Sequence, residues 1–223
     1  MGLREDVQRL RPWVSGFRLG GEKFGGDFEP PGDWESLVWA RWPDVRTVLE
    51  LGCCEGQRTR HLAARAERVV AVEGRAANLA RARLALGAQG ITNVELCQGN
   101  LETMPLANLG QFDACYIVGL LYHLPEPWRL IEQLPAVSSR VFLWTHYCRD
   151  VDATAEPMPG MPGRFCLEGD LGHGLSGLSP RSFWPTVGGL ARMFVDAGMK
   201  LEIWASEPHQ NGPALLAFGE KRA

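Results

Sequence analysis

Apolar runs of five to seven residues alternate with helix-forming segments through the middle of the chain. The runs are typical of buried strands, which we predict over residues 45–51, 68–73, 94–98, 112–118 and 141–146. The intervening segments 58–66, 75–87 and 126–136 have the composition of helices. Strands that alternate with helices predict an α/β fold with a parallel sheet between two helical layers.

The N-terminal part of the chain departs from this alternation. Residues 4–13 predict a short helix, and Asp33 is the expected N-cap of a second helix over residues 34–41. The stretch between them, residues 16–32, is rich in Gly, Pro and aromatic residues and therefore predicts a loop.

The C-terminal part departs from it as well. Residues 148–180 contain many Gly and Pro residues, which predicts a long loop of the kind that covers a binding site. A helix is expected from Ser179 or Ser182 to about residue 197, with Gly198 as its C-cap. We predict that two strands, over residues 201–206 and 214–219, form a closing hairpin. We divide the chain into an N-terminal cap, residues 1–43, and a main domain, residues 44–223, with 148–180 as a lid.

The junction after the first predicted strand carries the strongest functional signal. The strand ends in the sequence Glu50-Leu-Gly52-Cys53-Cys-Glu-Gly56, and the next strand ends in Glu73-Gly74. A strand, a glycine turn, a helix and a strand with a terminal acid together form a βαβ unit that holds a nucleoside. The spacing departs from the GxGxxG pattern of dinucleotide-binding turns, so a nicotinamide oxidoreductase is the less favoured alternative.

Composition narrows the class of partner. The net charge is −3, from 23 basic and 26 acidic residues, whereas proteins that grip a nucleic-acid backbone usually carry a basic surplus. A small-molecule partner is therefore preferred to nucleic acid. The N-terminus lacks the features of a signal peptide and no apolar run reaches membrane-spanning length, so we expect a cytoplasmic protein without a membrane partner. Its assembly is expected to be a monomer or a homodimer.

The six cysteines do not indicate a metal site. None forms a CxxC pair, and most lie in or beside predicted strands, where a thiol packs as a small apolar group. We expect no bound metal.

The glycine turn, Glu73 and the closing hairpin together resemble the class I S-adenosylmethionine-dependent methyltransferases over residues 45–221. The resemblance implies a Rossmann-like three-layer sandwich, with a seven-stranded, mostly parallel sheet and an antiparallel last strand. It implies S-adenosyl-L-methionine as cofactor, with Glu73 holding the ribose hydroxyls. The cofactor-binding residues it implies are Glu50, Gly52, Cys53, Gly56, Glu73, Gly74, Asn100, Leu101, Val118 and Gly119.

The run Gly119-Leu-Leu-Tyr122-His123 is similar to a segment of the bacterial tRNA wobble-uridine carboxymethyltransferases and of related small methyltransferases. In these families the segment lies where methyl donor and acceptor meet, which makes Tyr122 and His123 the candidate catalytic residues. Imidazole titrates near neutral pH, so His123 is the candidate for proton transfer, with a structural role as the alternative.

Further residues are candidates for the acceptor site. His146 and Tyr147 end the fifth strand, His173 lies in the predicted lid, Arg181 stands in a region that resembles an anion contact of the tRNA enzymes, and Phe28 lies in the N-terminal loop. The favoured function is methyl transfer to a metabolite, sugar or natural product. A tRNA-modifying methyl or carboxymethyl transferase and a non-catalytic S-adenosylmethionine-binding module are the alternatives.

Overall fold

The computed structural model of the protein describes residues 2–29 and 33–222. The chain folds into two compact units, residues 1–99 and 100–223. The elements of the first unit are α1 (Leu3–Arg9), β1 (Gly16–Leu19), β2 (Glu22–Gly25), α2 (Glu35–Arg41), β3 (Thr47–Leu51), α3 (Thr59–Ala63), β4 (Arg68–Glu73), α4 (Ala76–Ala88) and β5 (Val94–Gln98).

The N-terminal glycine-rich stretch forms a β-hairpin, so the prediction of a loop there is wrong for residues 16–25. Strands β1 and β2 pair antiparallel, with Leu19 opposite Glu22. The two residues between them, Gly20 and Gly21, have φ angles of 57° and 85°. Two consecutive positive φ angles fit the tight turn whose twist matches a hairpin. The prediction for residues 30–32 lies outside the described residues.

Strands β3, β4 and β5 form a parallel set in the order of the sequence. Their apolar side chains are buried at Val48, Leu49, Val70 and Val72. The strand predictions hold here, and helix α2 begins close to its predicted cap, since Asp33 accepts a hydrogen bond from the Ser36 backbone N–H at 3.3 Å. The acids Glu50 and Glu73 therefore lie at the carboxyl ends of neighbouring strands.

The second unit contains the remaining four strands of the sheet. Its elements are β6 (Ala114–Val118), α5 (Pro127–Gln133), β7 (Arg140–His146), β8 (Gly163–Leu167), β9 (Arg181–Pro185), α6 (Val187–Asp196), β10 (Met199–Glu207) and β11 (Ala214–Lys221). Strand β7 pairs parallel with β6 and antiparallel with β11, and β11 pairs antiparallel with β10. The predicted closing hairpin is thus confirmed.

The helix expected from residue 179 or 182 begins later, at Val187, and is preceded by a strand. Strand β9 pairs antiparallel with β8, which lies inside the segment expected to be a loop. The residues from Ser182 to Pro185 are all buried, as in a strand that is covered on both faces. The helix takes Thr186 as its N-cap, whose side chain accepts from the Gly189 N–H. The C-cap is Ala197 and not Gly198 as predicted, and Gly198, with φ 73°, is the next residue.

The fold class agrees with the prediction: a Rossmann-like α/β fold with a seven-stranded, mostly parallel sheet and an antiparallel last strand. No helix within residues 2–29 and 33–222 is both long and apolar enough to cross a membrane.

Candidate active site

The turn after β3 brings backbone rather than side chains to the carboxyl end of the strands. The backbone N–H groups of Gly52 and Cys53 both donate to the carbonyl of Val72, at 2.9 and 3.1 Å. Gly56 has φ 80°, and a Cβ atom there would lie 3.2 Å from the Cβ of Ala82 on α4. The glycine therefore allows close packing of the turn against the helix, as well as a backbone conformation that side chains disfavour.

Glu73 is fixed by backbone donors at the end of β4. Its Oε2 accepts from the N–H of Cys54 at 2.9 Å, and its Oε1 accepts from the N–H of Arg75 at 2.8 Å. The side chain of Asn78 donates to Oε1 at 3.5 Å. Burial raises the pKa of Glu73, although these hydrogen bonds act in the opposite direction. The carboxylate is oriented with lone pairs left over, which is what a ribose diol requires.

Glu50, at the end of β3, is a buried acid beside this turn, and its carboxyl group is only partly hydrogen-bonded. The residue is 3% exposed, and its Oε2 has no hydrogen-bond partner among the described residues. Burial raises its pKa to about 8. A buried acceptor without a donor is costly unless a ligand supplies one, and a cationic donor would also restore the ionised form.

The two cysteines of the turn remain neutral thiols. Burial raises the pKa of Cys53 and of Cys54, and the charge of Glu73 acts in the same direction on both. Cys54 also has φ 50°, a conformation more usual for glycine. Both residues behave as small apolar members of a glycine-type turn.

A buried polar network joins the N-terminal segment to Glu73. The carboxylate of Glu55 accepts from the backbone N–H groups of Val14 and Ser15 at 3.1 and 2.6 Å. Arg81 lies 3.5 Å from Glu55 and donates to the side-chain oxygen of Asn78 at 3.0 Å. Through Asn78 the network reaches Glu73, so helix α4 orients the ribose-binding candidate and the N-terminal segment together.

The second unit contains a cluster of aromatic and imidazole rings, formed by Tyr122, Trp144, His146, Trp184 and His209. The ring of His146 stacks on Trp184, with centroids 5.0 Å apart and planes 7° apart. Tyr122 meets both edge-on, at 4.6 Å from His146 and 5.8 Å from Trp184. We call these five residues the aromatic cluster. It draws together one predicted catalytic residue, Tyr122, and one predicted acceptor-site residue, His146.

His123 forms a pair with a carboxylate. Its Nδ1 lies 2.8 Å from Oε2 of Glu168, and the Gly177 N–H donates to the same oxygen at 2.7 Å. Burial alone would raise the pKa of Glu168. The hydrogen bonds from His123 and Gly177 have the opposite effect, and the pKa is lowered overall. An ionised carboxylate at Nδ1 leaves Nε2 as the basic nitrogen, the arrangement of an imidazole general base.

His146 has a different environment. Its Nδ1 lies 3.2 Å from the carbonyl oxygen of Pro213, which only accepts, so Nδ1 carries the proton and Nε2 a lone pair. Burial lowers the pKa of His146 and keeps the ring neutral near pH 7. It is suited to accept a hydrogen bond from a bound hydroxyl.

The other predicted cofactor residues of the second unit follow β5 and end β6. The side-chain oxygen of Asn100 accepts from the Glu102 N–H at 2.9 Å, which is a local turn contact, while Leu101 is buried. Val118 ends β6, and Gly119 has φ 76° and donates to the Trp144 carbonyl at 3.2 Å. These residues retain their predicted positions at strand ends.

Four predicted acceptor-site residues lie outside the aromatic cluster. Tyr147 contacts Ser206 through its hydroxyl, at 3.1 Å, and His173 is exposed and hydrogen-bonds within its own loop. Arg181 stacks over Phe165 at 4.7 Å, and it lies on β9 and not at a helix start. Phe28, in the first unit, is 46% exposed.

Sequence reasoning missed Glu168, Trp184 and the buried trio Glu55, Asn78 and Arg81. Residues 181–185 do not alternate between polar and apolar types, so they carry no period-2 signal for the strand that contains Trp184, and Glu168 gave no signal before the loop was placed. Among the described residues, no group of three or more His, Cys, Asp or Glu side chains is arranged to hold a metal ion.

Comparison with known proteins finds similarity in sequence and in fold. A family model described as a methyltransferase domain matches residues 49–138. The structure of the N-terminal domain of EvdMO1 with S-adenosylhomocysteine (SAH) bound is 30% identical, with a TM-score of 0.90, over 99% of this chain and 96% of that one. The same domain in the presence of SAH and D-fucose is 32% identical, with a TM-score of 0.89 and the same coverage.

The chain corresponds to only part of full-length EvdMO1. It covers 47% of that protein, at 28% identity and a TM-score of 0.77. The magnesium protoporphyrin IX methyltransferase of Synechocystis with SAH bound is 14% identical, with a TM-score of 0.61, over 85% of this chain and 81% of that one, which shows a shared fold. No curated protein sequence matches the chain significantly.

Proposed function

Since the chain belongs to the class I S-adenosylmethionine-dependent methyltransferases, we propose that it methylates a hydroxyl group of a small, polar acceptor such as a sugar. The observation that carries this proposal is the 2.8 Å contact between His123 and Glu168, because a hydroxyl acceptor needs a base whereas a neutral amine does not.

The residues of the first unit fit the cofactor. Glu73 would accept hydrogen bonds from the ribose hydroxyls, using the lone pairs left free by Cys54 and Arg75. The unpartnered oxygen of Glu50 would face the cationic amino group of the methionine moiety. Gly52 and Gly56 would let the backbone approach the cofactor closely. Cys53 lies in the same turn after β3, and Gly74 lies in the turn after β4.

Further residues are proposed for the cofactor and for the acceptor. Asn100 and Leu101 would contact the adenine. Val118 and Gly119, at the end of β6, would lie beside the cofactor. S-adenosylmethionine, when bound, supplies an electrophilic methyl group. His123 would take the proton of the acceptor hydroxyl at Nε2 while Glu168 stabilises the resulting imidazolium. Tyr122 would hold the acceptor in line for attack, a positioning effect that contributes about 7 kcal/mol in favourable cases.

A sugar is the favoured class of acceptor. The ring of Tyr122 offers an apolar surface for the C–H groups of a sugar, and His146 offers a hydrogen-bond acceptor beside it. D-fucose was present with the EvdMO1 N-terminal domain in one of the similar structures. The net charge of −3 also disfavours a nucleic-acid acceptor.

A tRNA substrate is the second candidate, because the run from Gly119 to His123 is similar to that of the tRNA wobble-uridine carboxymethyltransferases. Incubation with S-adenosylmethionine carrying a labelled methyl group distinguishes the two. We expect label in D-fucose or related deoxysugars, free or nucleotide-linked, and none in bulk tRNA. Label in tRNA, lost steeply as salt rises, would replace the sugar proposal.

A further inference from the structure

The hairpin β8–β9 has two chemically different faces. Arg164 stands opposite Trp184, and Cys166 stands opposite Ser182, so these four side chains share one face. The other face carries Phe165 and Phe183, whose rings lie 5.1 Å apart.

The polar face contains two buried donors that have no acceptor. Neither Nε of Arg164 nor Nε1 of Trp184 has a hydrogen-bond partner among the described residues, and both atoms are shielded from solvent. Trp184 is only 9% exposed. A buried donor left without an acceptor costs free energy, and more so when it belongs to a cation. Two such donors on one face therefore point to an acceptor group that a ligand supplies.

No described side chain neutralises Arg164. Its guanidinium lies over the ring of Trp184, 5.3 Å from the centroid, and no described carboxylate lies within ion-pairing distance. Its polar neighbours are Cys148 and Cys166, and Arg164 forms a side-chain hydrogen bond with the Cys166 thiol, so that Nε is the donor left without an acceptor. Burial raises the pKa values of both cysteines, which therefore remain neutral thiols. A positive charge is therefore held at this face beside an aromatic ring and uncharged groups.

This face adjoins the aromatic cluster. Trp184 belongs to both, since it stacks on His146 and meets Tyr122 edge-on. A group bound by Nε1 of Trp184 and by Arg164 would thus be part of a molecule that also contacts the aromatic cluster.

We propose that Arg164 and Trp184 bind an anionic group of the acceptor, either a carboxylate or a phosphate. The guanidinium pairs with the negative charge, and the indole N–H donates a second hydrogen bond that fixes the orientation of the group. The proposal rests on the proposed function and refines it: the acceptor is a sugar that carries a carboxylate or a phosphate, such as a nucleotide-linked sugar, and the free neutral sugar is the poorer acceptor.

The test uses the indole N–H signal of Trp184 in nitrogen-15 NMR spectra of the full chain, assigned with Trp184→Phe. Sodium acetate and sodium phosphate are titrated at constant ionic strength, with sodium chloride as the reference anion. We expect a saturable shift of this signal with acetate or phosphate and none with chloride. Arg164→Gln should weaken the binding by about tenfold or more, as expected for the loss of a charge-assisted pair, and Arg164→Lys should restore part of it.

Arg192→Gln is the control, because Arg192 is an exposed arginine of the same unit whose guanidinium pairs with Asp196. It should leave the titration unchanged. A Trp184 signal that does not respond to either anion, or an equal response in Arg164→Gln and wild type, would overturn the proposal. Calorimetric binding of SAH to each variant separates the two levels of inference. If SAH binds and the anions do not, the anion site fails while the methyltransferase function stands.

Discussion

Nδ1 of His123 and Oε2 of Glu168 lie 2.8 Å apart, although 45 positions separate the two residues in the sequence. The contact joins the short 3-10 segment after β6 to the residue that follows β8. It fixes the imidazole ring and places an ionised carboxylate where positive charge would develop during proton transfer.

Glu168→Gln should therefore lower kcat for methyl transfer by about 10²-fold and leave KM nearly unchanged, the range typical of an impaired general base. Initial rates over a range of acceptor concentrations measure both parameters. Glu126→Gln is the control, since Glu126 forms an exposed pair with Arg129. A purely structural contact would lower stability without lowering kcat of the folded enzyme.

Glu73→Ala should weaken binding of S-adenosylmethionine by about 10²-fold or more, because two hydrogen bonds to a charged acceptor are lost. Isothermal titration calorimetry measures the change. Glu95→Ala, on the neighbouring strand β5, removes a carboxylate that is exposed and paired with Arg68, and should leave the affinity unchanged. Equal affinities in wild type and Glu73→Ala would remove Glu73 from the ribose site.

Binding of S-adenosylmethionine should release a proton from Glu50 near pH 7. Without ligand the pKa of this carboxyl is about 8, so the group is mainly protonated, and a cationic amino group beside it would favour ionisation. Affinity should therefore rise with pH up to about 8. Calorimetry in buffers of different ionisation enthalpy counts the protons, and Glu50→Gln should release none from this position.

The same carboxyl gives the free protein a stability that depends on pH. Its ordinary pKa is 4.5 and its folded pKa is about 8, so the folded state holds the extra proton between these values. Stability should fall as the pH rises through that window, and Glu50→Gln should flatten the curve. Urea unfolding at several pH values tests this, and an unchanged slope in the variant would contradict the assignment.

Arg81→Met should lower the free energy of unfolding by about 3–5 kcal/mol, because it leaves the buried carboxylate of Glu55 without its cation. It should also weaken binding of S-adenosylmethionine, since Asn78 loses the donor that orients it towards Glu73. Urea unfolding and calorimetry measure the two effects. Arg83→Met, on the exposed side of the same helix, is the matched control; similar losses in both variants would argue against the network.

The sequence predicted those elements whose residue pattern directly reflects their burial. Strand β4 ends in Glu73 as expected, because a run of buried apolar residues and a terminal acid can be read locally. The hairpin β1–β2 was missed because its many glycines indicate a loop. A Gly-Gly pair between two short strands is, however, also a hairpin signal. Strand β9 was missed because Ser179-Pro180 is an equally good helix start.

The positions of Glu50, Glu73 and His146 at or near strand ends were predictable, because each lies in a strand that the sequence indicates, and their roles in binding stay predictions. Hydrogen-bond partners that lie far away in the sequence could not be predicted. Glu168 reaches His123 only because β8 pairs with β9, and neither strand was expected. Arg81 looks like any arginine of an exposed helix until the N-terminal segment covers it, where it donates to the carbonyl of Leu10 at 2.8 Å.

The neutral state of Cys53 and Cys54 has a consequence for self-modification. A thiolate is a far stronger nucleophile than a sugar hydroxyl, and a sulfonium methyl donor alkylates thiolates readily. A turn that carries two cysteines and also holds such a donor would be a target of its own reagent if either thiol ionised. Burial and the negative charge of Glu73 suppress that ionisation. If this turn holds the cofactor as proposed, the same desolvation that packs the turn would protect the protein from methylating itself.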